Sequence, residues 1–207
     1  MITIGPHTLF NQNIDRLDFA PAMNGRKARA MYVDPPWGPG TMKYWATLAH
    51  KQAGLSLENI SFDALLARIA AIIEVHVHGH VFIEMGVKWI AQLEDAMSSV
   101  LLDVVVEPIQ YKSGNKLVPA ALLHGRTRGS MTAIDSTDLR PLRGPHLTDA
   151  AIAKVAIPGE YVIDPCCGMG YTASAALNHK MHFVGNELNP SRLRKTEDRI
   201  RTISGWE

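Results

Sequence analysis

The stretch "EYVIDPCCGMGYTASAAL" (160–177) decides the fold. Residues 160–164 read as a strand, and the glycine-rich "CCGMGYTA" (166–173) opens a helix. Gly168 and Gly170 let backbone approach a ligand closely, because no Cβ stands in the way. The string Gly168-Met169-Gly170-Tyr171-Thr172-Ala173 fits the G-x-G-x-x-A form of a dinucleotide fingerprint. "MHFVGNE" (181–187) follows as a second strand and ends on Glu187, an acid placed to take the two hydroxyls of a ribose. NAD and S-adenosylmethionine (SAM) both put a ribose on such an acid. The turn by itself does not choose between them, and an ordinary tight strand–helix turn would share its glycines.

Working outward, strands and helices alternate. "NGRKAR" (24–29) is a polar turn feeding a strand at about 30–33, and a loop rich in Gly, Lys and His follows the prolines after it. Phe62, Leu65, Leu66, Ile69 and Ile73 recur at i, i+3, i+4, i+7 and predict an amphipathic helix capped by Ser61. Gly79 is the expected stop, and "HVFIEM" (80–85) reads as a buried strand. A helix over about 87–99 precedes two strands, 101–110 and 116–125, joined by a turn at Ser113-Gly114-Asn115. Pro119 puts the second strand near an edge or a bulge. Residues 126–146 read as irregular, with a short helix at about 147–155 beyond them. Asn189 and Pro190 make an N-cap and first helical residue, and Leu193, Ile200 and Ile203 give the last helix its apolar face. The alternation predicts an α/β fold with a largely parallel sheet, whose ligands sit beyond the carboxyl ends of the strands.

The 207 residues suffice for one sizeable domain. A composition 46% hydrophobic and 20% charged suits a globular chain and excludes a disordered one. The net charge of +1 does not by itself announce a nucleic-acid partner, since a basic face can hide in a neutral total. The two cysteines, Cys166 and Cys167, are adjacent and form no disulfide framework, and neither is expected to be catalytic. The N-terminus lacks the features of a secretory signal, and no apolar run approaches the ~20 residues of a membrane span. A cytoplasmic protein is expected.

"MYVDPPWGPG" (31–40) is a second strand end with unusual chemistry. Two successive prolines remove two backbone donors and fix two φ angles. Asp34 supplies a carboxylate acceptor, and the Pro35 carbonyl, held by Pro36, supplies another. Together they suit an exocyclic amino group, whose nitrogen they would draw toward tetrahedral geometry. Trp37 offers a flat face for an extruded base.

"DPPW" after a strand, "DPCCGMG" after another and "VGNE" beyond it resemble the SAM-dependent amino-methyltransferases of DNA. The catalytic motif comes first and the SAM motif last, an order similar to the circularly permuted beta class with its N6-adenine enzymes. Residues 144–200 resemble that family's C-terminal part throughout. The resemblance implies a Rossmann-like methyltransferase fold in permuted order, with a mostly parallel seven-stranded-type sheet and helices on both faces. It implies one domain over 1–207, with a catalytic half at about 1–125 and a SAM-binding half at about 144–207.

The resemblance makes Asp34, Pro35, Pro36 and Trp37 the catalytic motif. Asp164, Pro165, Cys166, Gly168 and Gly170 become the SAM turn and Glu187 the ribose acid. His146 and Thr148 fall in the segment closing over the methionine end. Cys166, Met169 and Tyr171 stand where the family's "DPFxGSGTT" has Phe, Ser and Thr. For the Asp that the family often carries near the SAM adenine, "FNQNID" (10–15) offers Asn13 or Asp15. Tyr32 or Trp45 could replace Trp37 as the stacking face. The usual target-recognition domain has no counterpart, which leaves the loop 38–58 and the arginines of 126–143, Arg126 and Arg128 among them, to meet nucleic acid.

These readings lead to an N6-adenine DNA methyltransferase with SAM as cofactor and DNA as partner. RNA is the alternative polymer, and a second subunit of a homodimer would add contacts. The rival readings are N4-cytosine or RNA adenine methylation, a catalytically inactive nucleic-acid-binding subunit, and an NAD oxidoreductase. His76, His78 and His80 carry no metal in this reading, because Gly79 breaks their alternation. The arginines of the last helix, Arg192 included, are read as a solvated face.

Overall fold

Met31-Tyr32-Val33, Val81-Phe82-Ile83 and Val162-Ile163 present no polar face, so each run needs cover on both sides. All three occupy the middle of one sheet. In the structure, a computed structural model that describes residues 1–53, 60–129 and 132–206, eight strands form that sheet. They are β1 (Ile2–Ile4), β2 (His7–Phe10), β3 (Ala28–Val33), β4 (Val77–Gly86), β5 (Leu101–Ser113), β6 (Lys116–Thr127), β7 (Tyr161–Asp164) and β8 (His182–Asn186). Their order is β1-β2-β8-β7-β3-β4-β6-β5. The pairs β2–β8, β8–β7, β7–β3 and β3–β4 are parallel. β6 runs antiparallel to both β4 and β5, and β1 antiparallel to β2. Only β1 and β6 therefore run against the rest, and β1 is an added edge strand.

The helices are α1 (Gly38–Ala53), α2 (Phe62–His76), α3 (Ile90–Met97), α4 (Pro145–Ala153), α5 (Tyr171–Asn178) and α6 (Pro190–Ser204). None of the described helices is long and apolar enough to cross a membrane. Alternate strand residues feed two cores. Met31, Val33, Val81, Ile83 and Ile163 pack with Leu66, Ile69 and Ile73 of α2 and Leu93 of α3. Ala30, Tyr32, Phe82 and Val162 pack with Leu147 of α4, Ala173 of α5 and Leu193 and Ile200 of α6. Helices thus cover both faces. The expected caps are present: Ser61 accepts from the Ala64 N–H, and Asn189 from those of Ser191 and Arg192.

Four expectations are corrected. The segment after the prolines is helical from Gly38 to Ala53, not a loop, and residues 54–58 of the expected 38–58 loop lie outside the described residues. α2 ends at His76, and Gly79 lies inside β4. A Cβ on Gly79 would come within 1.8 Å of the Arg29 carbonyl oxygen, so close strand approach, not helix termination, requires that glycine. β6 reaches Thr127 and takes Arg126 into the sheet. It is also interior, although Pro119 lies one residue past the last β4 pair, Gly86–Ala120, where its missing N–H leaves nothing unpaired on that side.

β3 and β7 pair at Ala30–Val162 and Met31–Ile163. That seam sets the strand ends carrying Asp34 and Asp164 side by side, 130 positions apart in the chain (164 minus 34).

Candidate active site

The glycine turn is held from inside. The Asp164 carboxylate is 3% exposed. It accepts from the Cys166 N–H at 2.9 Å and from the Thr172 hydroxyl at 2.6 Å. Gly168 and Gly170 have φ of +52° and +80°, and α6 closes on them. Thr196 donates to the Gly168 carbonyl at 3.1 Å and Arg199 to that of Met169 at 3.1 Å. Asp164 therefore shapes the turn, and Pro165 and Cys166 present it to a cavity of ≈ 1020 Å³.

Glu187 lines the same cavity from the end of β8. Its carboxylate accepts from the Asn189 N–H at 2.8 Å, with the Gly168 and Leu188 N–H groups also holding it. Burial nevertheless raises its pKa. Asn13 also lines the cavity and caps a short 3-10 turn at Ile14–Arg16, whereas Asp15 is exposed outside it. Arg192, read as solvated, points inward instead: its guanidinium lies 4.3 Å from the Trp45 ring centroid and 3.9 Å from Glu187.

Asp34, Pro35, Pro36 and Trp37 line the cavity's other wall. The Trp37 indole N–H donates to Asp34 Oδ1 at 3.0 Å, and the Tyr111 hydroxyl also hydrogen-bonds Asp34. The Trp37 and Tyr111 rings meet edge to face at 4.6 Å. Trp37 is thus a donor to the acid as well as an aromatic wall. Burial lifts the Asp34 pKa to about 6, against the pull of those hydrogen bonds and of Arg192.

Beneath Asp34, Tyr32 is 2% exposed, lies against Phe82 and donates to Glu84 Oε1 at 2.5 Å. It offers no face to a ligand, which corrects its expected stacking role. Burial, with the charges of Asp34 and Asp164, pushes Glu84 to about 8, and burial raises Asp164 to about 7.

Other expected residues lie elsewhere. Trp45 does line the cavity, from α1. His146 is exposed on α4 and Thr148 is buried there, donating to the Gly144 carbonyl at 3.2 Å; neither lines the cavity. Arg126 pairs with His80 near the start of β4, and Thr127 with Leu101. Arg126 and Arg128 therefore sit at the opposite end of the sheet from Asp34. Glu84, Tyr111 and Arg192 are site residues that the sequence reading misses. Glu84 has a signal, an acid inside the apolar run "HVFIEM", but Tyr111 and Arg192 have none that periodicity could supply.

No family model and no curated protein matches the chain. Solved structures do. M1.HpyAVI in its SAM complex shares 17% identity at a TM-score of 0.64, over 93% of this chain and 98% of that one. TTHA0409 of Thermus thermophilus, complexed with S-adenosyl-L-methionine, shares 14% at 0.60, over 95% and 94%. The PvuII DNA methyltransferase, cytosine-N4-specific, shares 10% at 0.60, over 98% and 94%. At such identities the likeness is one of fold: over nearly its whole length this chain shares the fold of these two SAM-bound proteins and of the PvuII DNA methyltransferase.

Proposed function

We propose that this protein transfers the methyl group of SAM to the N6 amino group of adenine in DNA. The reading rests on one observation: the Asp34–Trp37 turn and Glu187 open into one cavity of ≈ 1020 Å³. Solved neighbours carrying SAM support the cofactor. The residues present fit it. Glu187 is a buried acid facing open space, suited to ribose hydroxyls, and Pro165, Cys166 and Leu188 supply apolar wall. When bound, SAM supplies an electrophilic methyl group on its sulfonium.

The chain's own residues handle the amino group. Its nitrogen lone pair is delocalised into the base and is freed as acceptors take the two N–H bonds. The Asp34 carboxylate takes one and the Pro35 carbonyl the other. As the new N–C bond forms, the nitrogen sheds one proton, and Asp34 is the acceptor within reach. Trp37, Trp45 and Tyr111 provide aromatic faces for an extruded base. The aspartate of "DPPW" favours adenine; the likeness to the PvuII enzyme makes N4 of cytosine the competing acceptor.

Incubation with methyl-labelled SAM and mixed DNA and RNA, followed by nucleoside digestion, tests the reading. N6-methyladenine from DNA is expected. Label in N4-methylcytosine, label in RNA, or SAM binding without turnover would replace it with the corresponding rival. Asp34→Ala should keep SAM binding and lower turnover by roughly 10²–10³, the scale of one preorganised polar contact. Sedimentation with and without DNA checks the expected homodimer.

A further inference from the structure

The β5–β6 ladder is longer than the sheet beneath it. Pairing of β4 with β6 stops at Gly86–Ala120. Beyond that point Gln110, Tyr111, Lys112 and Ser113 pair only with Pro119, Val118, Leu117 and Lys116. Four residues at ~3.3 Å each make an arm about 13 Å long. β5 runs parallel to β3 and β4, so this arm projects past the strand ends that carry the site. Its Tyr111 and Val118 line the cavity, and Lys112 and Lys116 are exposed at its tip.

α1 also borders the cavity; it contributes Trp45 to the wall and exposes Lys43, Tyr44 and Lys51. Lys88, just past the end of β4, is exposed over the Trp89 ring at 4.9 Å. Residues 38–53 and 109–120 contain no Asp or Glu. Among the described residues, no ion pair engages Lys43, Lys51, Lys88, Lys112 or Lys116. Asp63, an acid of the cavity wall, accepts from Gln92.

Two arginines of the 126–143 stretch are the reverse. Arg126 is paired with Asp103 and Arg140 with Glu107, and Arg126 and Arg128 lie at the far end of the sheet. A phosphate needs a cation whose charge is not already spent on an acid.

We infer that the rim formed by α1, Lys88 and the β5–β6 arm is the surface that holds the phosphodiester backbone of the substrate. The assignment rests on the proposed nucleic-acid substrate. The rim grips the strand at the cavity mouth and presents the base to Trp37 and Trp45. Binding here is carried by lysines, so it is salt-dependent and tolerant of sequence.

The test is anisotropy of labelled duplex DNA, single-stranded DNA and RNA across a salt series, with the intact protein. Lys112→Glu/Lys116→Glu should weaken binding about tenfold or more and lower the log–log salt slope by about two. Arg126→Gln and Arg128→Gln should stay within about twofold of the parent. SAM binding by thermal shift, retained in all variants, excludes misfolding as the cause. Lysine variants that bind like the parent would overturn the surface while the proposed activity stands. Failure of the parent to bind any of the three polymers would overturn both. The tightest polymer identifies whose backbone the rim fits.

Discussion

Asp34 is a half-buried carboxylate with two side-chain donors, the Trp37 indole and the Tyr111 hydroxyl. Around it lie Glu84 and Asp164, whose ionisation the Asp34 charge opposes, the Tyr32 hydroxyl, and Arg192, whose charge favours the ionised Asp34. In the proposed reaction the carboxylate must be ionised to take both an N–H bond and its proton. Turnover of the parent should therefore fall as pH drops through about 6, the Asp34 value. Tyr111→Phe removes a donor that favours the charged form, so the Asp34 pKa rises further. We expect turnover about tenfold lower, an acidic limb displaced to higher pH, and unchanged SAM affinity. A profile of kcat against pH for both proteins checks this. A lower kcat with the limb unmoved would make Tyr111 only a packing residue.

Among the elements, α2 is legible in the sequence because its apolar stripe and Ser61 cap are local features. The strand ends with their turns are legible for the same reason. α1 is not, because Gly38, Pro39 and Gly40 look like breakers and its placement depends on the cavity it covers. Gly79 misleads because a glycine after an apolar helix resembles a stop, whereas its reason is the Arg29 carbonyl on the neighbouring strand. Arg192 is hidden in a similar way: the many charged neighbours on a polar helix mask the one that turns inward. Gly79→Ala should accordingly destabilise the fold by about 1–3 kcal/mol or more, since backbone cannot yield as a side chain can. Denaturant unfolding measures it, and a change below a few tenths would refute the close approach.

At the scale of the molecule, two sets of buried groups pull stability in opposite directions with pH. Asp34, Glu84 and Asp164 have raised values, about 6, 8 and 7. Their contribution is complete below about 4, where the unfolded groups are also protonated, and is lost as pH rises through 6 to 8. His7 and His124 are lowered to about 4, chiefly by burial. Their contribution is present above about 6.5 and is lost as pH falls toward 4. The two sets largely offset each other between about 4 and 6, and the melting temperature should decline chiefly as pH rises from 6 to 8, where only the acids still titrate. Glu84→Gln should flatten the alkaline decline. A melting temperature that climbs steadily from pH 6 to 8 would show that these acids ionise freely.

The sheet order carries a consequence for how the protein is made. β7 and β8, which leave the ribosome after the other six strands, belong between β2 and β3, which leave before them. Until residue 186 has emerged, β2 and β3 both face solvent with open ladders, and Asp34 stands beside a gap. The sheet can close at its centre only after β8 has emerged. Unpaired edges held open that long invite wrong partners. A newly made chain should therefore stay dependent on chaperones, with the candidate site unformed, until β8 and α6 have been released.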